Sequence, residues 1–185
     1  MKCAITGVSG YLGRLLKEFF DKQGWEVLGL SHSGNALAQG RRVFFSLKSG
    51  IDGQALAGID VLIHGAYDFS LRRWEDIFEV NVQGSIKLFQ AAKMAGVRKI
   101  IYVSSMSSFA NCQSLYGRAK LLIEDEARRI GAWIVRPGLI YGVNASGMMG
   151  ALEKVIKKSP IVPLVGTGEQ VLYLVHSEDL CRFFT

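Results

Sequence analysis

Ile5-Thr6-Gly7-Val8-Ser9-Gly10-Tyr11-Leu12-Gly13 (ITGVSGYLG) sits between a short apolar run and an amphipathic segment. The run, Lys2 to Thr6, reads as a buried strand. The segment, Leu12 to Gln23, reads as a helix with Leu15, Leu16, Phe19 and Phe20 on its inner face, closed by Gly24. Gly7, Gly10 and Gly13 each fall three residues after the last. A sharp turn from strand to helix favours residues without a Cβ. A backbone bared in this way also approaches a pyrophosphate closely, at a helix N-terminus whose N–H groups and dipole favour anions. The stretch therefore reads as a phosphate-cradling turn, with Tyr11 and Leu12 beside the glycines as further contacts. Its G-x-x-G-x-x-G spacing differs from the commoner G-x-G-x-x-G, so a merely tight turn competes with this reading until the surrounding pattern is considered.

That pattern is regular. Strand-like runs at Glu26–Leu30, Arg42–Phe45, Asp60–His64, Lys99–Ser104 and Ala132–Arg136 alternate with helical stretches. The longer helical stretches run from about Arg72 to Ala95 and from Leu115 to Ile130. Nearly unbroken apolar strands separated by helices predict an α/β fold: a doubly wound, Rossmann-like parallel sheet covered on both faces. Ligands in such folds bind beyond the carboxyl ends of the strands.

The composition agrees. A chain of 185 residues, 49% hydrophobic and 21% charged, has the material for a core. A formal charge of +6, dispersed in pairs such as Arg72-Arg73 and Lys157-Lys158, does not read as a nucleic-acid surface. Cys3, Cys112 and Cys181 suit neither a disulfide framework nor a metal site, so a reduced cytoplasmic setting without a bound metal is expected. No signal peptide or membrane span is read.

Dinucleotide folds often end the second strand with a carboxylate that binds the ribose 2′-OH of NAD. Here the chain reads Leu30-Ser31-His32-Ser33. Ser31, His32, Ser33 or a nearby Arg can donate to a 2′-phosphate, so the expected cofactor is NAD or NADP, with NADP slightly favoured. Tyr116-Gly117-Arg118-Ala119-Lys120 puts a phenol and an ammonium on one helix face. A phenol of pKa about 10 needs about 4 kcal/mol of differential stabilisation to fall by about three units, and a nearby cation works in that direction. The pair alone is common on surface helices. Ser104 and Ser105 end the fifth strand, where a hydroxyl can orient a substrate oxygen. Asn81 and Gly84 interrupt a helical stretch that neither favours.

Together these pieces resemble the extended, epimerase/dehydratase-like branch of the short-chain dehydrogenase/reductase superfamily. The resembling segments are TGVSGYLG (6–13), DVLIHGA (60–66), NVQG (81–84), KIIYVSS (99–105), YGRAK (116–120), RPGLIYG (136–142) and LVHSEDL (174–180), in the family's order and across nearly the whole chain. The resemblance implies Tyr116 as catalytic acid/base, Lys120 as the group that lowers its pKa and binds the nicotinamide ribose, and Ser105, ahead of Ser104, as the substrate-orienting hydroxyl. It implies Asn81 as support for the helix and for a water near Lys120. Gly65, Ala66 and Tyr67 would line the cofactor, and Pro137, Gly138 and Leu139 would pass near its carboxamide. It also implies a dinucleotide-binding domain over 1–143 and the start of a short, incomplete substrate-binding lobe over 144–185, packed on the same core. The small-molecule substrate would be a nucleotide-activated sugar, and a homodimer is possible within the family.

The chain departs from the pattern in places. Ser46, with Leu47 after it, stands where the family commonly meets the adenine with Asp. The interval from Ser105 to Tyr116 is short. Extended members usually continue well past LVHSEDL, so the chain is either a truncated relative or builds its pocket differently, with a partner chain as one means. His64 is expected to be a strand-end packing residue and His176 structural, leaving His32 as the histidine near the cofactor. Two readings follow: an NAD(P)-dependent enzyme of nucleotide-sugar type (epimerase, dehydratase or reductase), or a cofactor-binding regulatory or structural protein that keeps the fold without turnover.

Overall fold

The computed structural model describes residues 1–32, 41–145, 147–158, 167–169 and 171–185. It forms two compact units, Met1–Arg136 and Pro137–Thr185, where the sequence reading sets its boundary after 143.

In the first unit the expected strands form one six-stranded parallel sheet. They are β1 (Lys2–Thr6), β2 (Glu26–Ser31), β3 (Arg41–Phe44), β4 (Val61–His64), β5 (Lys99–Val103) and β6 (Trp133–Val135), in the order β3-β2-β1-β4-β5-β6. Chain direction along the sheet reverses between β1 and β4. In open α/β sheets the usual ligand position is a crevice beyond the carboxyl ends of the strands at such a reversal. Cys3, Ala4, Ile5, Leu62, Ile63 and Tyr102 are almost fully buried, as expected of strands covered on both faces.

Helix α1 (Tyr11–Lys22) buries Leu16 and Phe20, while Leu15 and Phe19 are only half-buried. Each fully buried side chain of this size contributes about 1.5–3 kcal/mol. Lys17 on the same helix is buried but ion-paired with Asp21. Gly24 follows with φ of +76°, a conformation that suits glycine after a helix.

The long helical stretch is not uniform. It runs as α2 (Trp74–Ile77), a π-helical turn (Phe78–Gln83) and α3 (Gly84–Met94). The wider turn absorbs Asn81, and Gly84 lies so close to β3's exit loop that a Cβ there would overlap the carbonyl of Leu47. These contacts account for two poor helix formers at these positions. Helix α4 (Leu115–Arg129) packs Ala119, Ile123 and Ala127 into the core.

The second unit contains β7 (Leu139–Tyr141) and β8 (Leu174–His176), paired in parallel, with α5 (Gly147–Lys158) and α6 (Ser177–Phe183). Gly138 packs against the Tyr173 carbonyl, which accepts from the Leu139 amide at 2.7 Å.

Candidate active site

The glycine turn is built from backbone. Gly7 has φ of +69°, and its amide donates to the Leu30 carbonyl at 3.1 Å. Its own carbonyl accepts from the Gly10 amide at 2.8 Å. A Cβ on Gly13 would overlap Gly7, so this glycine lets α1 close onto the strand. Gly10 is exposed and caps α1 with no side-chain hydrogen bond. A Cβ there would meet only the Gly7 carbonyl oxygen, at 3.2 Å, and would otherwise enter open space at the helix N-terminus. Tyr11 and Leu12 begin the helix, both half-buried. This geometry fits an anion held by α1's first amides.

The turn continues directly into the segment after β4. A Cβ on Gly7 would crowd the backbone of Ala66 at 3.2 Å, and the amides of Gly65 and Ala66 both donate to Thr6 Oγ1 at 3.1 Å. The Tyr67 ring then meets Tyr116 edge-on at 4.9 Å, and Phe69 stacks on Tyr116 at 5.5 Å. Asn81 is fully buried and clamps this segment: its side-chain oxygen accepts from the Asp68 amide at 2.7 Å and its nitrogen donates to the Asp68 carbonyl at 3.2 Å. The resemblance implied that Asn81 supports the helix and a water near Lys120; the observed contacts are with the loop after β4.

Helix α4 presents Tyr116 and Lys120. Ser114 caps it, accepting from the Gly117 amide at 3.0 Å. Gly117 packs so closely on the Ser107 carbonyl that a Cβ would overlap it. The loop after β5 is thus pressed against the helix, and Ser105 lies near enough to Tyr116 for its hydroxyl to lower the phenol's pKa in part. Ser104 is occupied elsewhere, donating to buried Glu124 at 2.6 Å. Glu124 also accepts from Arg136 at 2.7 Å and Arg128 at 2.6 Å. Burial raises its pKa, but the bonds from Arg136 and Ser104 outweigh this and hold the carboxyl below its usual range.

Lys120 is buried and donates to the Val103 carbonyl at 2.8 Å, with its ammonium 4.9 Å from the centre of the Tyr102 ring and 5.8 Å from that of Tyr116. Burial depresses its pKa from 10.5 to about 7, partly opposed by Glu124. Tyr116 behaves differently from the expectation that Lys120 lowers its pKa. Burial raises the phenol, and the Ser105 hydroxyl pulls it back down in part. The cause is physical: burial of the phenol dominates, and the neighbouring Lys120 is itself desolvated.

Over residues 3–185 the chain matches the model of the NAD dependent epimerase/dehydratase family. The chain belongs to that family. The ceramide reductase of Caulobacter vibrioides (strain NA1000 / CB15N) is 32% identical over 184 residues, covering 95% of this chain and 57% of that protein. The UDP-glucose 4-epimerase of Mycolicibacterium smegmatis (strain ATCC 700084 / mc(2)155) is 33% identical over 124 residues, covering 58% of this chain and 40% of that protein. Among solved structures, MoeE5 in complex with UDP-glucuronic acid and NAD has a TM-score of 0.84 at 21% identity, over 100% of this chain and 71% of that one. That last likeness concerns the fold. The chain spans about half the length of the curated relatives it matches.

Other expected site residues of this epimerase/dehydratase chain fall around the same crevice or outside it. Ser31 ends β2 and is buried, His32 follows it at the surface, and Ser33 lies outside the described residues. His32 is near enough to Asp68 to help hold that carboxyl low, after the stronger effect of Ser70. Ser46 is half-buried and turns inward on its own loop, with its oxygen accepting from the Ser49 amide at 3.0 Å, while Leu47 is buried under Gly84. Pro137, Gly138 and Leu139 belong to the second unit. So does His176, which ends β8 with its ring edge-on to Tyr141 at 5.2 Å. Sequence reasoning passed over Phe69, Glu124 and the polar role of His64. An aromatic after the β4 motif, and an acid one turn beyond Lys120, were the available signals. No helix among the described residues is long and apolar enough to cross a membrane.

Proposed function

We propose that this chain carries the NAD(P)-binding and proton-transferring part of an enzyme of nucleotide-sugar type, an epimerase, dehydratase or reductase. The observation that supports it most is the continuity of the crevice. The Gly65 and Ala66 amides brace Thr6 at the start of the glycine turn, Tyr67 follows, and Tyr67 packs against Tyr116 with the Lys120 ammonium near both rings. A nicotinamide cofactor bound there accepts or returns hydride. Gly7, Gly10, Tyr11, Leu12 and Gly13 would hold its pyrophosphate, Ser31 and His32 its adenosine ribose, Ser46 and Leu47 its adenine side, and Gly65, Ala66 and Tyr67 its inner face.

The chain's own chemistry is a proton transfer. With its pKa raised, Tyr116 holds its proton at neutral pH and is ready to donate it to a substrate oxygen. Ser105, whose hydroxyl acts on the phenol, would share that oxygen. Lys120 can gain or lose a proton near pH 7, so it can stabilise phenolate once the proton has left. In the oxidative direction the same transfer would run backwards, with the Tyr116 phenolate taking the substrate's proton.

A second reading rests on Phe69. This ring is 66% exposed and stacks on Tyr116, giving the reacting group an apolar neighbour. Together with the ceramide reductase relative, it favours reduction of a carbonyl on a long-chain apolar substrate. Turnover assays with nucleotide sugars and with long-chain ketones, each with NADH and NADPH, separate the two. On whichever substrate is active, Tyr116→Phe keeps the ring and removes the proton, and kcat should fall at least about a hundredfold. Lys120→Met should lose both turnover and cofactor affinity. Wild-type turnover by Tyr116→Phe would refute the proton-transfer role. Cofactor binding with no turnover of any substrate would support a regulatory or structural protein.

A further inference from the structure

His64 ends β4 with its ring fully buried, between Phe89 edge-on at 5.4 Å and Tyr102 stacked at 5.7 Å. Both ring nitrogens are bonded: Nδ1 lies 2.8 Å from Thr6 Oγ1 and Nε2 lies 2.8 Å from Ser85 Oγ. The direction of each bond follows from its neighbours. Ser85 spends its only hydroxyl proton on the Asn81 carbonyl, at 2.6 Å. Ser85 must therefore accept from His64, which places a proton on Nε2. In a neutral ring Nδ1 is then an acceptor, and it takes the hydroxyl proton of Thr6. The lone pairs of Thr6 Oγ1 are in turn filled by the Gly65 and Ala66 amides.

Every donor and acceptor in the line is satisfied in one arrangement only. A proton added to Nδ1 would face the Thr6 oxygen already receiving two N–H groups. Burial acts in the same sense and depresses the His64 pKa from 6.5 to about 3, with the charge on Lys120 adding to it.

We propose that His64 is a positioning residue of the cofactor site, a neutral ring locked in its Nε2–H tautomer. It joins the end of β1 and the loop after β4 to the π-helical turn through a line of hydrogen bonds running one way. This inference rests on the reading that the glycine turn holds a dinucleotide. At one end Thr6 precedes Gly7 and gathers the amides of Gly65 and Ala66. At the other, Ser85 holds the backbone of Asn81, whose side chain clamps Asp68. The loop lining the crevice is thereby fixed at both ends through one imidazole. A simple packing residue would need the shape of the ring but not its polarity.

Two measurements on the full chain test this. Nitrogen-15 spectra of the histidine rings at neutral pH should show one ring with a pyrrole-like Nε2 and a pyridine-like Nδ1, assigned through its loss in His64→Gln. The opposite tautomer, a mixture, or an imidazolium would overturn the proposal. NADH titrations followed by nicotinamide fluorescence supply the second readout. Thr6→Val and Ser85→Ala should each weaken binding about tenfold, since each leaves a buried partner unsatisfied. The double variant should lose little more than the worse single, because both cut the same line. Thr6→Ser, which keeps the hydroxyl, should bind as the wild type does. Additive losses, or no loss in either single variant, would overturn the proposal. These variants leave the ring in place, so the test stands even if His64→Gln folds poorly and the assignment is made from the unperturbed spectrum by elimination of His32 and His176. Failure of the wild type itself to bind NADH or NADPH would instead refute the dinucleotide reading, and the ring spectrum would still report the line.

Discussion

A methyl group added at Gly13 would overlap the Gly7 carbonyl, and one added at Gly7 would sit on a backbone with φ of +69°. At Gly10 the backbone has φ of −77°, which any residue adopts, but a Cβ would press on the Gly7 oxygen at 3.2 Å and meet open space elsewhere. The first two requirements belong wholly to the fold and the third only in part. On the proposed phosphate role, Gly10→Val should keep a native circular dichroism spectrum with a somewhat lower Tm and weaken NADH binding at least about tenfold, as a side chain enters the space of a pyrophosphate. Unchanged affinity in the folded variant would remove the phosphate role from this turn. The glycine spacing and the Tyr116–Lys120 pair were legible in the sequence because both are local. The direction of the Tyr116 pKa was not, since burial comes from residues far away in the chain. The polar role of His64 was hidden for the same reason: its partner Thr6 is separated from it by 58 positions.

At the scale of elements, apolar runs bounded by polar residues marked the strands of the parallel sheet to within a residue or so. The helix from about Arg72 to Ala95 was legible as one element, with Asn81 and Gly84 as its anomalies. Its division was not, because a π-helical turn shows no periodicity over so few residues. What selects it is tertiary: Asn81 reaching Asp68, and Gly84 resting on Leu47. The junction of α4 with β6 carries a prediction of its own. Glu124, with no exposed side-chain surface, joins Ser104, Arg128 and Arg136. Its folded pKa lies below the ordinary 4.5, so its stabilising effect is complete above that value and is lost as pH falls through the lower folded value. Glu124→Gln leaves Arg136 without its carboxylate and should cost about 3 kcal/mol at neutral pH. Thermal unfolding over a pH series should also show a shallower acid limb for the variant than for the wild type. Equal acid limbs would show that this carboxylate does not govern acid stability.

For the whole molecule, the strand order brings residues from 6 to 120 to one end of the sheet, where a dinucleotide would lie across the reversal between β1 and β4. No carboxylate occurs between Leu30 and Gly40, so nothing there repels a 2′-phosphate or grips a 2′-hydroxyl in the manner of an acidic residue. NADPH is accordingly expected to bind at least as tightly as NADH when dissociation constants are compared at one ionic strength. A strong preference for NADH would locate the ribose contact at a residue other than Ser31 and His32. The family and the sheet were legible because seven weak segments occur in one order. The substrate was not, since Ser105, Tyr116 and Lys120 carry no feature that distinguishes one substrate from another.

The bonds from Gly65 and Ala66 to Thr6 also bear on how the chain folds. The glycine turn follows β1 directly, yet the amides that brace it arrive only with β4, after a loop closure of 58 or more positions. An N-terminal βαβ segment therefore contains the motif without the braced cradle. Closing a long loop is slow relative to forming α1. In pulse-labelled hydrogen exchange during refolding, the Gly65 and Ala66 amides should gain protection together with β1–β4 pairing, after those of α1. The cradle thus forms as a product of long-range strand pairing, and the proposed dinucleotide affinity would develop at that step of folding.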